Sequence, residues 1–509
     1  MKQADQFTLY MPTYSADSLT DEDFGELRLV FTPNDSVRKA TLLDTFDHAL
    51  RLSGRLLLST GRGLEVIGRD GAVLQQPTRQ TTGFVAALDD GAVKEALGDV
   101  SPLRALMPMG DITLGLVMAA LVDDEAKTHI RVHVIEVSTE TGFTGLLVSL
   151  RCLRGYEESL DAALERFAAL GGKPLKTIDL YAKLFPKRSS YDPKPSISIG
   201  NDEAAFDVAS DIIASYLPVA RANEEGIVAD IDTEFLHDYR IALRKIRSVL
   251  SLFKGVYDVE TTSELKARFS ALMAPTGRQR DLDVYLLEKQ KFYDLLPDSL
   301  HGGLDKMFAL FAEERKEVQE ALAAHLSSED YRQEIKALGK LVRKSKKLGC
   351  GPNADRHAHD YACKLIWKRY RKICKIAKQI GPDTDDHEVH ELRIHCKKLR
   401  YLMEFFAPLY PKIAIKSLIR PLKRLQDNLG YFNDYSVQKD SLAAFVEGLD
   451  VEQQQEQLEI AQTVGALIAI LHRRQLEERA KVVDSFDRFN SRETKQTFRE
   501  LFKARESKK

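Results

Sequence analysis

His237-Asp-Tyr-Arg240-Ile-Ala-Leu-Arg244-Lys245-Ile-Arg247 aligns without a gap on His390-Glu-Leu-Arg393-Ile-His-Cys-Lys397-Lys398-Leu-Arg400, at an offset of 153 residues. The same offset pairs Phe253 with Phe406, Tyr257 with Tyr410, Gly277 with Gly430 and Asp281 with Asp434. One register held this far implies a duplicated structural unit. On a helix, His237, Arg240, Arg244 and Arg247 fall at i, i+3, i+7 and i+10, so they share a face. Leu236, Tyr239, Leu243, Ile246, Leu250 and Phe253 repeat that spacing one position earlier, which places an apolar row about 100° round the helix. The second copy has the same two rows. His390, Arg393, Lys397 and Arg400 are basic, and Val389, Leu392, Cys396, Leu399, Met403 and Phe406 are apolar.

Stacked like charges on one helix face repel, and Lys245 and Lys398 widen each stripe. An anion lying along the stripe relieves that repulsion, and guanidinium groups suit phosphate oxygens through paired charge-assisted hydrogen bonds. A solvated charged face is the bland alternative, but the motif holds few acids (Asp238 and Glu391) and the pattern is duplicated. Two such helices related by a pseudo-twofold axis would line one basic channel. Lys364, Lys368, Arg371 and Lys375 fall at helical spacing ahead of the second motif, and Lys423 and Arg424 flank the second Gly-to-Asp segment. The first copy has Arg278 and Arg280 there, with Arg280 read as an ion-pair partner of Asp281. Gly277 and Gly430 are expected to break helices. His357, His359 and Cys363 lie close together without a recognised metal-ligand spacing, so no metal site and no cofactor are expected.

The remainder bounds these rows. Net charge is only -2 over 509 residues, so a whole-chain basic field is excluded and local clustering must carry any anion affinity. The cysteines Cys152, Cys350, Cys363, Cys374 and Cys396 are odd in number and include no CxxC pair, which fits a reduced cytoplasmic protein. The start Met1-Lys2-Gln3-Ala4-Asp5 lacks the apolar stretch of a secretory signal. The apolar run Ile112–Val122 is too short to span a bilayer as a helix, so no membrane association is expected. Residues 1–175 read as mixed α/β. Strands are expected at Phe7–Met11, Leu27–Phe31, Leu56–Ser59, Leu64–Ile67, Ile130–Val137 and Gly145–Leu150, with hairpin turns at Asp70-Gly71 and Asp90-Gly91. A helix over Ser159–Leu170 stops at Gly171-Gly172. Residues 176–199, with Pro186, Pro193 and Pro195, read as a linker. From 200 to 500 helical periodicity prevails, in repeats of about 200–345 and 353–500.

The duplicated helix resembles the hallmark of the CHAD family (conserved histidine α-helical domain): His-x-x-Arg-x-x-x-(Arg/Lys)-(Arg/Lys)-x-Arg, occurring twice. Gly277-Arg-Gln-Arg280-Asp281 and Gly430-Tyr-Phe-Asn433-Asp434 resemble the family's following segment, so four blocks occur in the family's order. The N-terminal half resembles a degenerate CYTH domain, the triphosphate-tunnel fold, at Leu43-Asp44-Thr45-Phe46-Asp47 with Leu52-Ser53-Gly54. Active members open with Glu-x-Glu-x-Lys; here Gln6-Phe7-Thr8-Leu9-Tyr10-Met11 stands instead, without metal-binding carboxylates. The fold these resemblances imply is an α+β antiparallel CYTH-like barrel followed by an all-α CHAD bundle of two repeats.

The function implied is binding of inorganic polyphosphate without turnover, in association with polyphosphate granules. The residues expected to carry it are His237, Arg240, Arg244, Lys245, Arg247, Lys364, Lys368, Arg371, His390, Arg393, Lys397, Lys398, Arg400 and Lys423. Two other classes remain open at this point: a triphosphatase working through the N-terminal half, and nucleic-acid binding by the same basic helices. Against the second, stacking aromatics interleaved with the basic row would be expected, whereas Tyr239 and Phe253 fall on the apolar row.

Overall fold

The computed structural model describes residues 6–12, 15–68, 72–140, 142–186, 191–344, 347–381, 384–449 and 454–503. They belong to two compact units, Met1–Asp192 and Pro193–Lys509.

The first unit is built on antiparallel strands: β1 Gln6–Pro12, β2 Arg28–Asp44, β3 Leu56–Thr60, β4 Gly63–Ile67, β5 Val73–Gln76, β6 Gly83–Phe84, β7 Ala105–Val122, β8 Thr128–Ser138, β9 Thr144–Cys152 and β10 Lys173–Pro174. Their order is β10-β1-β9-β8-β7-β2-β3-β4-β5, with β6 pairing β7. Period-two burial explains the strands. In β8, Ile130, Val132 and Val134 are fully buried while Arg131 and His133 between them are exposed. The helix Glu157–Ala169 lays Leu160, Ala163 and Phe167 on that face.

The six expected strands and this helix all fall on observed elements, but three expectations need correcting. The sheet is not a closed barrel: β10 and β5 end it, and no pairing among the described residues joins them. Its edges are blunted instead. β10 is two residues long, and Gln76 at the end of β5 accepts the Val93 and Lys94 amides at 3.0 and 3.1 Å. Second, Asp90-Gly91 makes no hairpin, because it leads into the helix Ala92–Ala96; Asp70-Gly71 includes residues outside those described. Third, part of the expected linker is core. The helix Leu180–Leu184 buries Leu180, Tyr181 and Leu184 against strand residues of the first unit. The run Ile112–Val122 is the second half of β7. No described helix is long and apolar enough to cross a membrane.

The second unit is helical, and the register of 153 runs through it. Ala205–Ala222 begins 153 residues before Ala358–Ala377, Thr233–Leu252 before Asp386–Phe405, and His301–Ser327 before Gln454–Ala480. Equivalent residues of the two copies also touch each other. Ala204 bridges His357, Phe253 stacks on Phe406 with ring centroids 4.9 Å apart, Tyr285 Oη donates to the Gln438 carbonyl at 3.4 Å, and Lys306 pairs with Glu459 at 2.6 Å. A residue that contacts its own equivalent lies beside the axis relating the copies, so these pairs mark a pseudo-twofold axis.

One part of the repeat departs from this symmetry. The first copy has Val259–Met273, a 3-10 turn at Ala274–Thr276 and then Gly277–Leu287; the second has one helix, Lys412–Glu447. Pro275 removes an amide donor at the break, and the second copy has Asn428 there. Gly430 therefore lies inside a helix and does not break one, contrary to expectation.

The apolar rows of the two basic helices are buried as the spacing predicts: Tyr239, Leu243 and Ile246 in the first, and Leu392, Cys396, Leu399 and Phe406 in the second, are all 0% exposed. Both helices also start on an equivalent acid. Asp232 accepts the Glu234 and Phe235 amides at 3.0 and 3.3 Å, and Asp385 accepts the His387 amide at 3.1 Å. Replacing either by alanine should lower unfolding free energy by about 1 kcal/mol, read as a smaller urea midpoint at unchanged m.

Candidate anion-binding site

Burying the apolar row fixes how far the adjacent basic row can reach into solvent. Arg240, Arg244 and Arg247 on the first basic helix, Thr233–Leu252, are half-buried, as are Arg393, Lys397 and Arg400 on the second, Asp386–Phe405. His237 is half-buried at the start of its row, and His390 is exposed. The rows meet at their centres. Arg244 of the first helix acts electrostatically on both Arg393 and Lys397 of the second. Arg244 and Lys397 are equivalents across the pseudo-twofold axis, and neither side chain has a hydrogen bond or ion pair among the described residues. Burial pushes the Lys397 ammonium pKa down to about 8; Arg244, Arg393 and Arg400 push the same way and Asp434 opposes them.

Outward from this centre the rows are partly neutralised. Arg240 Nη1 donates to Thr276 Oγ1 at 2.5 Å, and its charge is opposed by Asp281. Its equivalent Arg393 lies 3.8 Å from Asp434 Oδ1. The two aspartates of the second repeated segment therefore face the same arginine in each copy. Arg280 adds to the field at Asp281, while Arg278 is engaged elsewhere, with Glu314 at 2.5 Å. Arg247 Nη1 contacts Met273 Sδ at 3.2 Å. Burial holds the Arg240 and Arg393 guanidinium pKa values below the usual arginine range, reinforced in both by Arg244.

Lys245 is not a free member of the stripe. It pairs with Glu404 and sits 4.5 Å from the Tyr401 ring centroid, so it ties one helix to the other. Glu404 also lies 3.3 Å from Arg400. Ser251 occupies the equivalent position in the first copy, so this neutralised end has no symmetric partner. Lys398 is half-buried, its pKa lowered by burial first and then by Arg369 and Lys254.

The helix Ala358–Ala377 contributes different residues from those expected. Lys364, Lys368 and Arg371 are exposed, on the side opposite its buried Ala362, Ile366, Tyr370 and Ile373. The side chains that reach the second basic helix are Arg369, whose Nη1 lies 2.6 Å from His395 Nδ1, and Lys372, 3.3 Å from Glu391. An arginine must donate, so His395 Nδ1 accepts and the ring proton sits on Nε2, 3.4 Å from Glu391. Burial and Arg369 hold the His395 pKa down to about 4. The sequence reading missed Arg369, His395 and Glu404; a full helical phase for Ala358–Ala377 would have turned Arg369, not Lys368, towards its neighbour. Lys423 is exposed on the Lys412–Glu447 helix, on the face of Asp434 but eleven residues away, about 16 Å along the axis. It extends the site without joining its centre. His359 Nε2 lies 3.9 Å from Cys363 Sγ, and His357 contacts Asp202; no group of three metal-ligating side chains occurs among the described residues.

Fold and site together define a two-repeat helical domain in which the duplicated basic helices converge on one cationic centre. Residues 211–443 match the CHAD domain family, and this segment is a CHAD domain. Among solved structures, the chain is similar to the CHAD domain from the plant Ricinus communis, at 24% identity over 57% of this chain and 94% of that one, with a TM-score of 0.48. It is also similar to PptA from Streptomyces chartreusis, at 13% identity over 56% of this chain and all of that one, with a TM-score of 0.43. No curated protein matches it.

Proposed function

We propose that the helical unit binds inorganic polyphosphate without hydrolysing it, in the cytoplasm at polyphosphate granules. The observation that carries this reading is the half-buried pair Arg244 and Lys397, set among Arg240, Arg393 and Arg400; neither has an ion pair among the described residues, and Asp434 offsets the field at Lys397 only in part. Such a cluster is electrostatically unfavourable alone and is relieved by an anion. A chain of phosphates fits better than a single one, because the rows extend from this centre along two helices.

For the N-terminal unit we propose descent from the CYTH fold without its chemistry. β1, Gln6–Pro12, carries none of that family's opening carboxylates. Incubation with tripolyphosphate and magnesium or manganese should release no phosphate.

Full-length protein titrated with long-chain polyphosphate should show log K falling linearly with log salt, with a slope of roughly −3 to −4 if four or five phosphates are neutralised and the single-strand rule applies. A salt-independent affinity would sink the proposal. RNA is the competitor to include, since Tyr431, 56% exposed, stacks near Tyr435 with ring centroids 6.4 Å apart, one helical turn before Asp434. If RNA displaces polyphosphate at equal phosphate concentration, nucleic acid is the better ligand.

A further inference from the structure

Gly277 and Gly430 are identical in two copies that differ at the next three positions, where Arg278, Gln279 and Arg280 face Tyr431, Phe432 and Asn433. Neither glycine is there for a backbone reason. Gly277 has φ −65°, within the ordinary helical region, and Gly430 sits inside the Lys412–Glu447 helix. Neither is there for want of space, since a Cβ built on either one meets nothing within 4 Å. Glycine is nonetheless the worst ordinary helix former. Both copies thus retain a glycine, first in its helix at 277 and inside one at 430, that relieves no clash inside the protein.

Their position suggests what they leave room for. Each lies one helical turn before the aspartate that faces the first arginine of the basic row: Gly277 before Asp281 and Arg240, Gly430 before Asp434 and Arg393. Gly277 also follows Thr276, whose hydroxyl accepts from Arg240. Both glycines are partly exposed. We propose that Gly277 and Gly430 are binding residues, bare stretches of backbone over which the phosphate chain passes as it closes on Arg240 and Arg393. This rests on the polyphosphate reading and adds a steric element to it: side chains at these positions would hold the chain away from the guanidinium groups.

The test is a graded series in the full chain, Gly277→Ala with Gly430→Ala and then Gly277→Leu with Gly430→Leu, set against the same changes at Gly465. Gly465 is an exposed glycine of the Gln454–Ala480 helix that also has nothing within 4 Å, and it belongs to neither basic row. Alanine at 430 or 465, both inside helices, should raise Tm by about 1–3 °C. Polyphosphate affinity should fall in the order Gly, Ala, Leu at 277 and 430, by about tenfold for the double leucine, and stay constant at 465. Circular dichroism of each variant confirms the fold. If wild type binds and the double leucine binds equally well, the glycines are not part of the site and the polyphosphate reading stands. If wild type does not bind polyphosphate, both fall.

Discussion

Reversing the charge at Arg244 and Lys397 together, Arg244→Glu with Lys397→Glu, should abolish polyphosphate binding while the helical unit stays folded. Charge-assisted hydrogen bonds are each worth about 1.5–3 kcal/mol, so losing two and adding repulsion should weaken affinity by about a thousandfold or more. The fold should survive because neither side chain is bonded to anything whose loss would leave a buried group unpaired. New carboxylates at these positions face Arg393 and Arg400, so unliganded Tm should hold or rise. The matched control reverses Lys364 and Lys368, which are exposed on the outer side of the Ala358–Ala377 helix. That change should alter affinity less than about threefold, as exposed charges are largely screened. Equal losses from the two pairs would mean that binding follows overall charge and that no shared centre exists.

The two pairs separate what the sequence could and could not reveal. Arg244 and Lys397 were legible because a helix of known phase turns every third or fourth residue to one face, and their apolar neighbours Leu243 and Cys396 set the burial of that face. The duplication added the axis: a shared offset identifies equivalents, and Phe253 stacking on Phe406 shows where they converge. What was not legible depends on contacts between helices. Nothing local marks Lys245 as the partner of Glu404, 159 residues away, or Arg369 as the donor to His395. Lys364, Lys368 and Arg371 share a face, but the sequence does not say whether that face meets a neighbour or water. Gly430 was misread because local propensity favours a break, whereas Leu429 and Phe432 beside it are buried and hold the helix through it. In the first unit, alternation located the strands, but closure is a property of the whole sheet that no single strand encodes.

The second large effect is a proton taken up on binding. In the unliganded protein the Lys397 ammonium is faced by Arg244 from the first basic helix, by Arg393 and Arg400 on its own, and by Asp434 from the Lys412–Glu447 helix, and its pKa is about 8 against an ordinary 10.5. A pKa lowered in the folded state means that, between about 8 and 10.5, the unfolded chain carries a proton the folded one lacks. Lys397 therefore destabilises the free protein below pH 8, and that penalty fades as pH rises from about 8 to 10.5. Phosphate oxygens beside the ammonium reverse its field and raise the pKa again, so binding above pH 8 must recruit a proton. The contribution of Lys397 to affinity should not change with pH below about 7 and should weaken as pH climbs through 8. Calorimetry at pH 8.5 in two buffers of different ionisation enthalpy should report an uptake in which Lys397 accounts for about three quarters of a proton per site, a share that falls to almost none at pH 6.5. Lys397→Arg, which copies the residue of the other repeat, should keep binding and lose that uptake, while contributions from Lys245 and Lys398 persist in both proteins. Uptake unchanged in Lys397→Arg would place the titrating group elsewhere, and no uptake in wild type at pH 8.5 would mean that phosphate does not reach Lys397.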